Sequence, residues 1–238
     1  MADMGAKTGA GADAVTDGPG HGKGERGGKA AYHHGDLRNA LIDAATDLAR
    51  DGGPEAVVLR AAARRVGVSP TAAYRHFAGQ GELLHAVKEL GQQRLSESME
   101  AAAAQPAPAG SGPEAEMRVR SIGRAYLAFA RREPGLYRVA FCHDPLRVSS
   151  PDGAIDPGEE GTWGFRSFGI LVQALDALVE QGRMPVRRRA GAELSAWAVV
   201  HGLSMLFLDG PLSHLTAEET DAVAERAFDV LIAGFTAP

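Results

Sequence analysis

Apolar positions recur along the chain at helical spacing, with no stretch of the strict alternation that marks a half-buried strand. Leu37, Leu41, Ile42, Ala45, Leu48 and Ala49 predict a first amphipathic helix from about Tyr32–Asp36 to Arg50, stopped by Asp51-Gly52-Gly53-Pro54. A second run begins near Val58 and breaks at Gly67. Ser69 and Pro70 then start a new helix of only about two turns, carrying the chain to Phe77. After a turn at Ala78-Gly79-Gln80-Gly81, Leu83, Leu84, Val87, Leu90 and Leu95 predict a long helix from Gln80 to Ala104. Pro106 to Pro113 (PAPAGSGP) breaks it and is the clearest boundary in the chain.

The second half repeats the pattern. Val119, Ile122, Tyr126, Leu127, Phe129 and Ala130 predict one helix, ending at Arg131-Arg132-Glu133. Pro134 opens a short one, PGLYRVAF, with Leu136, Val139 and Ala140 inward. His143 to Gly161, rich in Pro, Gly, Ser and Asp, reads as a mobile loop. A helix apolar on most faces spans Phe165 to Val179, and Gly182 to Pro185 turns the chain. The last two helices cover Ala192 to Phe207 and Ala217 to Phe235, joined through Asp209-Gly210-Pro211. The expected fold is all-α.

Residues 1–31 hold almost no large apolar side chains and read as a disordered tail, basic at its end through Lys23, Arg26, Lys29, His33 and His34. That tail either lies along a polyanion or touches nothing. The expected organisation is therefore a tail (1–31), a first domain (32–90) and a second (91–238).

Composition adds one decisive detail. The chain of 238 residues is 45% hydrophobic and 23% charged, with net charge −5, the wrong sign for a nucleic-acid binder taken whole. The charge is uneven, however. Between His21 and Arg94 there are 11 Lys+Arg against 8 Asp+Glu, while residues 95–238 carry 13 against 19. A basic head on an acidic body suits DNA contact confined to one end. The single cysteine, Cys142, excludes an internal disulfide framework and fits a reducing compartment. With no apolar run near the roughly 20 residues needed to span a bilayer and no signal-peptide core, the expected location is cytoplasmic, with no membrane partner.

The chemistry concentrates between Leu59 and Phe77, LRAAARRVGVSPTAAYRHF. Helix, glycine turn and short second helix form a helix-turn-helix, whose second helix can enter a major groove. Gly67 stands where the turn needs positive φ. Ala61, Ala62, Ala63 and Ala73 are small enough to let the helices cross closely. Ala73 and Phe77, four apart, face inward, leaving Thr71, Tyr74, Arg75 and His76 outward, groups able to reach phosphates and base edges. Arg64 and Arg65 sit where cations also favour a helix C-terminus, and Arg60 lies one turn back, so each serves either DNA or its own helix.

The longer stretch GPEAVVLRAAARRVGVSPTAAYRHFAGQGELLHAV resembles the N-terminal signature of the TetR family of transcriptional regulators over about Leu37 to Leu90. Ala196 to Leu203 (AWAVVHGL) resembles a Trp-to-His-Gly element of one TetR-type C-terminal class. The resemblance implies a homodimer on a palindromic double-stranded DNA operator, a repressor released when a small-molecule effector enters the C-terminal part. By position it implies phosphate contacts from Tyr74 and His76, with Ser69, Pro70, Thr71 and Arg75 at or near base edges. Two positions depart from the family pattern. Val58 replaces the usual Thr cap, and Gln80 replaces a Lys, removing one phosphate charge. The last two helices are expected to pair across a two-fold axis, with the Gln80–Ala104 helix as the lever between head and body.

For the effector the resemblance implies a cavity, and Tyr126, Phe129, Trp163, Phe168, Trp197, His201 and Met205 are candidate walls, each equally able to be plain core. A lone His in an apolar helix, as His201 is, otherwise serves as a core or interface residue. Neither a cofactor nor a metal is expected; His33-His34 lacks further ligands at suitable spacing. Phe141-Cys142-His143-Asp144 contains catalytic residue types, but consecutive side chains diverge and cannot form a relay. Two rivals stand beside the regulator, which is not expected to be an enzyme: an all-α enzyme using Cys142, His143 or His201, and a helical protein-interaction module.

Overall fold

A computed structural model describes residues 36–106, 110, 112–142 and 166–238. The expected tail, the Tyr32 start of order, the loop from His143 to Gly161, the Phe165 start of the next helix, and the candidates Trp163 and His143 lie outside the described residues. Among the described residues all regular structure is helical. The order is α1 (Asp36–Gly52), α2 (Leu59–Val66), α3 (Pro70–Tyr74), α4 (Gln80–Ala103), α5 (Glu114–Arg132), α6 (Pro134–Phe141), α7 (Arg166–Glu180), α8 (Ala192–Leu208) and α9 (Ala217–Thr236). Single 3-10 turns at Pro54–Ala56 and Val186–Arg188 fill two of the links.

Each helix buries the stripe its sequence marks. In α1 Leu41, Ala45 and Ala49, four apart, have no exposed surface. Ala62 and Ala63 of α2 and Ala73 of α3 are equally buried, small side chains that let the two helices pack closely. Phe77 closes the underside of this head, with the Arg38 guanidinium 5.0 Å above its ring centre.

Helix α4 packs against α1 at one end and against α5, α6 and α7 along the rest. It is close to α6 because Gly91 has no side chain: a Cβ there would lie 3.2 Å from Ala140 Cβ and from the Leu136 carbonyl. Two side chains then tie α4 to the end of α6. Gln92 donates to the Ala140 carbonyl (2.8 Å), and the buried Lys88 donates to that of Cys142 (2.6 Å). One apolar cluster runs from Leu41 to Phe235 through all the long helices.

The long helix starts at Gln80 as expected, with Gly79 at the N-cap position and Glu82 reaching back to accept from the Ala78 amide (2.6 Å), so Gln80 and Gly81 are not part of the preceding turn. Another expected detail changes. The short helix α3 is five residues long, so Arg75 to Phe77 leave it as a turn.

Candidate functional site

The head is built around a tight turn. Gly67 sits at φ 80°, a conformation in which a Cβ is strained although no atom crowds the position. Its amide donates to the Arg64 carbonyl (3.2 Å) and the Val68 amide to that of Ala63 (3.0 Å), a Schellman closure of α2. Two residues later Ser69 caps α3, its Oγ accepting from the Ala72 amide (3.2 Å). Val58 at the start of α2 makes no side-chain cap, as its apolar side chain requires.

This frame turns one set of side chains outward. Arg60, Ser69, Pro70, Thr71, Tyr74, Arg75 and Gln80 are exposed, and His76 is half-buried. Tyr74 is the informative member: a large aromatic residue with 47% of its surface open, beside an arginine, on the solvent side of a helix whose other side is fully buried. Arg64 and Arg65 are exposed at the end of α2, where Arg65 lies near Asp47 and Asp51 (3.8 and 3.7 Å). Arg65 is thus partly engaged with α1. The face offers cationic, phenolic and hydroxyl groups together, the set that contacts phosphates and base edges.

The second site lies among α4, α5, α7, α8 and α9. A cavity of about 460 Å³, counting the open space at its mouth, is walled by Met99, Val119, Ile122, Leu171, Val200, Phe228 and Leu231, with Tyr126, Phe168 and Trp197. Gly123 makes room for the Phe228 ring, which a Cβ would approach to 2.8 Å. Of the candidate walls, Tyr126, Phe168 and Trp197 line this space. Phe129 is buried in the core and is not part of the lining, and Met205 is 41% exposed on α8.

His201 stands behind the lining. Its ring stacks on Trp197 (centroids 4.8 Å apart, planes 22°), and its Nδ1 meets two phenols, Tyr137 at 2.8 Å and Tyr126 at 3.0 Å. The two hydroxyls are themselves 3.4 Å apart, so the imidazole and both phenols form one buried polar cluster. Burial holds His201 below its ordinary 6.5, keeping it neutral at pH 7, and pushes both phenols upward. Trp197 also hydrogen-bonds the Tyr126 hydroxyl. Phe141 packs edge-on against His201 (4.9 Å).

Three residues of this region carry no signal in the sequence. Tyr137, with no exposed surface, ties α6 to His201. Lys88 is a buried cation on a helix otherwise read for its leucines. Ser167, 93% buried, lines the cavity among apolar neighbours and has the look of a surface serine in sequence. Among the described residues no group of three or more His, Cys, Asp or Glu could hold a metal ion, and no helix is long and apolar enough to cross a membrane.

Comparison with known proteins matches both regions. Residues 41–87 match the model for bacterial regulatory proteins of the tetR family, and 119–231 match a tetracyclin repressor-like C-terminal domain. No curated protein matches the chain. Among solved structures, a Rhodococcus sp. RHA1 protein of unknown function is 26% identical, with TM-score 0.68, covering 87% of this chain and all of its own. A tetR-family regulatory protein from Rhodococcus RHA1 is 19% identical (TM-score 0.57; 84% of this chain, 96% of its own). A TetR variant from Acinetobacter baumannii AYE in complex with minocycline is 19% identical (TM-score 0.53; 83% and 94%). This chain belongs to the TetR family of bacterial transcriptional regulators.

Proposed function

We propose that this chain is a ligand-responsive repressor that binds a palindromic operator as a homodimer and lets go when a small molecule enters the cavity. Residues 32–90 bind DNA, and residues 91–238 take the effector and dimerise. The observation that carries the reading is Tyr74, held open to solvent beside Arg75 on a capped helix whose opposite side is fully buried. Tyr74 and His76 contact phosphates, and Ser69, Pro70, Thr71 and Arg75 lie at base edges, with Arg60 and Gln80 on the flanking backbone.

Dimerisation is supported by apolar surface on the last two helices. Leu194, Met205 and Leu206 of α8 and Val230 of α9 are exposed in the single chain. A two-fold axis through α8 and α9 would cover them in a four-helix bundle. Release follows if the effector prefers a conformer in which the two recognition helices no longer match successive major grooves, about 34 Å apart. The contacts of α4 with α1 and with the cavity-bearing helices suit it to be the lever. One similar structure, the A. baumannii protein, holds a small drug. A cytoplasmic location accords with this work.

The double substitution Tyr74→Ala, His76→Ala tests the reading. Operator binding in a gel shift is expected to disappear while the thermal midpoint stays within a few degrees of the parent. Full retention of operator binding would sink it. A catalytic role for Cys142 or His201 predicts indifference to the same pair.

A further inference from the structure

The cavity's effector follows from what its wall lacks as much as from what it holds. Among the described residues, none that lines it carries a charge. The nearby arginines of α5 are engaged with carboxylates of α9: Arg124 with Glu225, and Arg120 with Asp229. An ion entering this space would give up its hydration with nothing opposite to replace it. Two polar lining side chains are already paired, Tyr126 with His201 and Trp197 with Tyr126.

Ser167 is different. It lies in the first turn of α7, is 93% buried, faces the cavity, and its hydroxyl has no hydrogen-bond partner among the described residues. A buried hydroxyl left unpaired is unfavourable, and a ligand oxygen that pairs with it gains that interaction on binding. From the uncharged wall and the open Ser167 hydroxyl we infer that the cavity takes a neutral, largely apolar molecule carrying a hydrogen-bonding oxygen, an alcohol or carbonyl, which pairs with Ser167 Oγ. The wall would set the ligand's hydrocarbon against Ile122, Leu171, Val200 and Phe228. This rests on the ligand-responsive reading above and adds the chemical class of the ligand.

Titration calorimetry of the full chain with three probes of one chain length, 1-octanol, octanoate and octylammonium, tests it. Saturable uptake of 1-octanol is expected, with both ions about tenfold weaker or more. Ser167→Ala should weaken 1-octanol about fivefold, the worth of one neutral hydrogen bond. Ser167→Thr, which keeps the hydroxyl, should retain most of the affinity. The ligand-free Ser167→Ala protein should also melt no lower than the parent, because no existing hydrogen bond is removed. Uptake of either ion as tight as the alcohol, an unchanged Ser167→Ala affinity, or no uptake of 1-octanol would each overturn the inference. A gel shift on the same samples separates it from the broader reading. If octanol-loaded protein keeps its operator as tightly as before, the cavity chemistry stands and ligand-controlled release falls.

Discussion

Ser69 is a small residue with a large share of the recognition surface behind it. Helix α3 has five residues, too few to persist on propensity, so its first turn depends on the Ser69 hydroxyl and on Ala73 and Phe77 below. Ser69→Ala should cost about 1 kcal/mol in urea unfolding. It should also weaken operator binding by more than that loss of fold accounts for, because the side chains it holds in place are the ones proposed to face DNA. His201 gives the second expectation at this scale. Burial lowers its proton affinity below the ordinary 6.5, so the unfolded chain accepts a proton that the folded one resists. Above pH 6.5 the ring is neutral in both states and contributes nothing to pH dependence. As pH falls through 6.5 toward the lower folded value, stability is lost. A His201→Gln variant should therefore show a flatter stability curve between pH 7 and 5, read by denaturant titration. Asp209, held below its ordinary 3.8 by the Arg138 guanidinium, adds a separate loss only below that value.

Among the elements, α4 and α6 meet through bonds that local sequence cannot announce. Lys88→Met, similar in length but without the ammonium, leaves the Cys142 carbonyl without this donor and should cost about 1–3 kcal/mol. With Gln92→Leu added, the end of α6 should loosen from the lever. The measurement is whether hydrogen exchange at Ala140 to Cys142 rises in the double variant. The same contrast explains what was legible beforehand. The surface proposed to face DNA lies within about twenty consecutive residues, where cap, glycine and spacing are visible together, so Gly67, Ser69 and Tyr74 could be placed from sequence. The cavity draws its wall from five helices spread between Met99 and Leu231. Helical periodicity marks Tyr126, Phe168 and Trp197 as inward but treats Phe129 the same way, because it cannot tell a filled interior from an empty one. Met205 sits in an apolar helix with exposed surface on one side, which composition alone does not divide. Tyr137, Lys88 and Ser167 gain their roles only from partners or neighbours far along the chain.

For the molecule as a whole, the uncovered apolar stripe on α8 and α9 sets the next expectation. Met205→Glu with Val230→Glu would place charges at the centre of the proposed dimer. Light scattering should show a monomer, and operator affinity should fall because one head alone spans one half-site. Unchanged dimer mass would exclude this face as the interface. The charge distribution belongs to the same scale. The acidic excess of residues 95–238 opposes DNA contact away from the basic head, so binding should be salt-dependent and oriented. Removing Arg75 should lower the slope of log affinity against log salt by about one unit if it meets a phosphate, and relax sequence preference if it meets a base.

The junction of α6 with α1 carries a consequence for engineering. Gly135 opens α6 hard against the end of α1, where a Cβ would fall 2.1 Å from the Ala49 carbonyl oxygen, and Arg50 pairs with Glu133 beside it (2.8 Å). The reading head is therefore not a detachable cassette. A chimera cut after residue 90, pairing this head with another body, would set a foreign residue against Ala49 and Arg50 wherever the donor lacks the glycine. New operator specificities are better built by grafting the outward side chains of α3 onto this frame than by exchanging the frame. Where a whole head must be moved, Glu133 and Gly135 should travel with it.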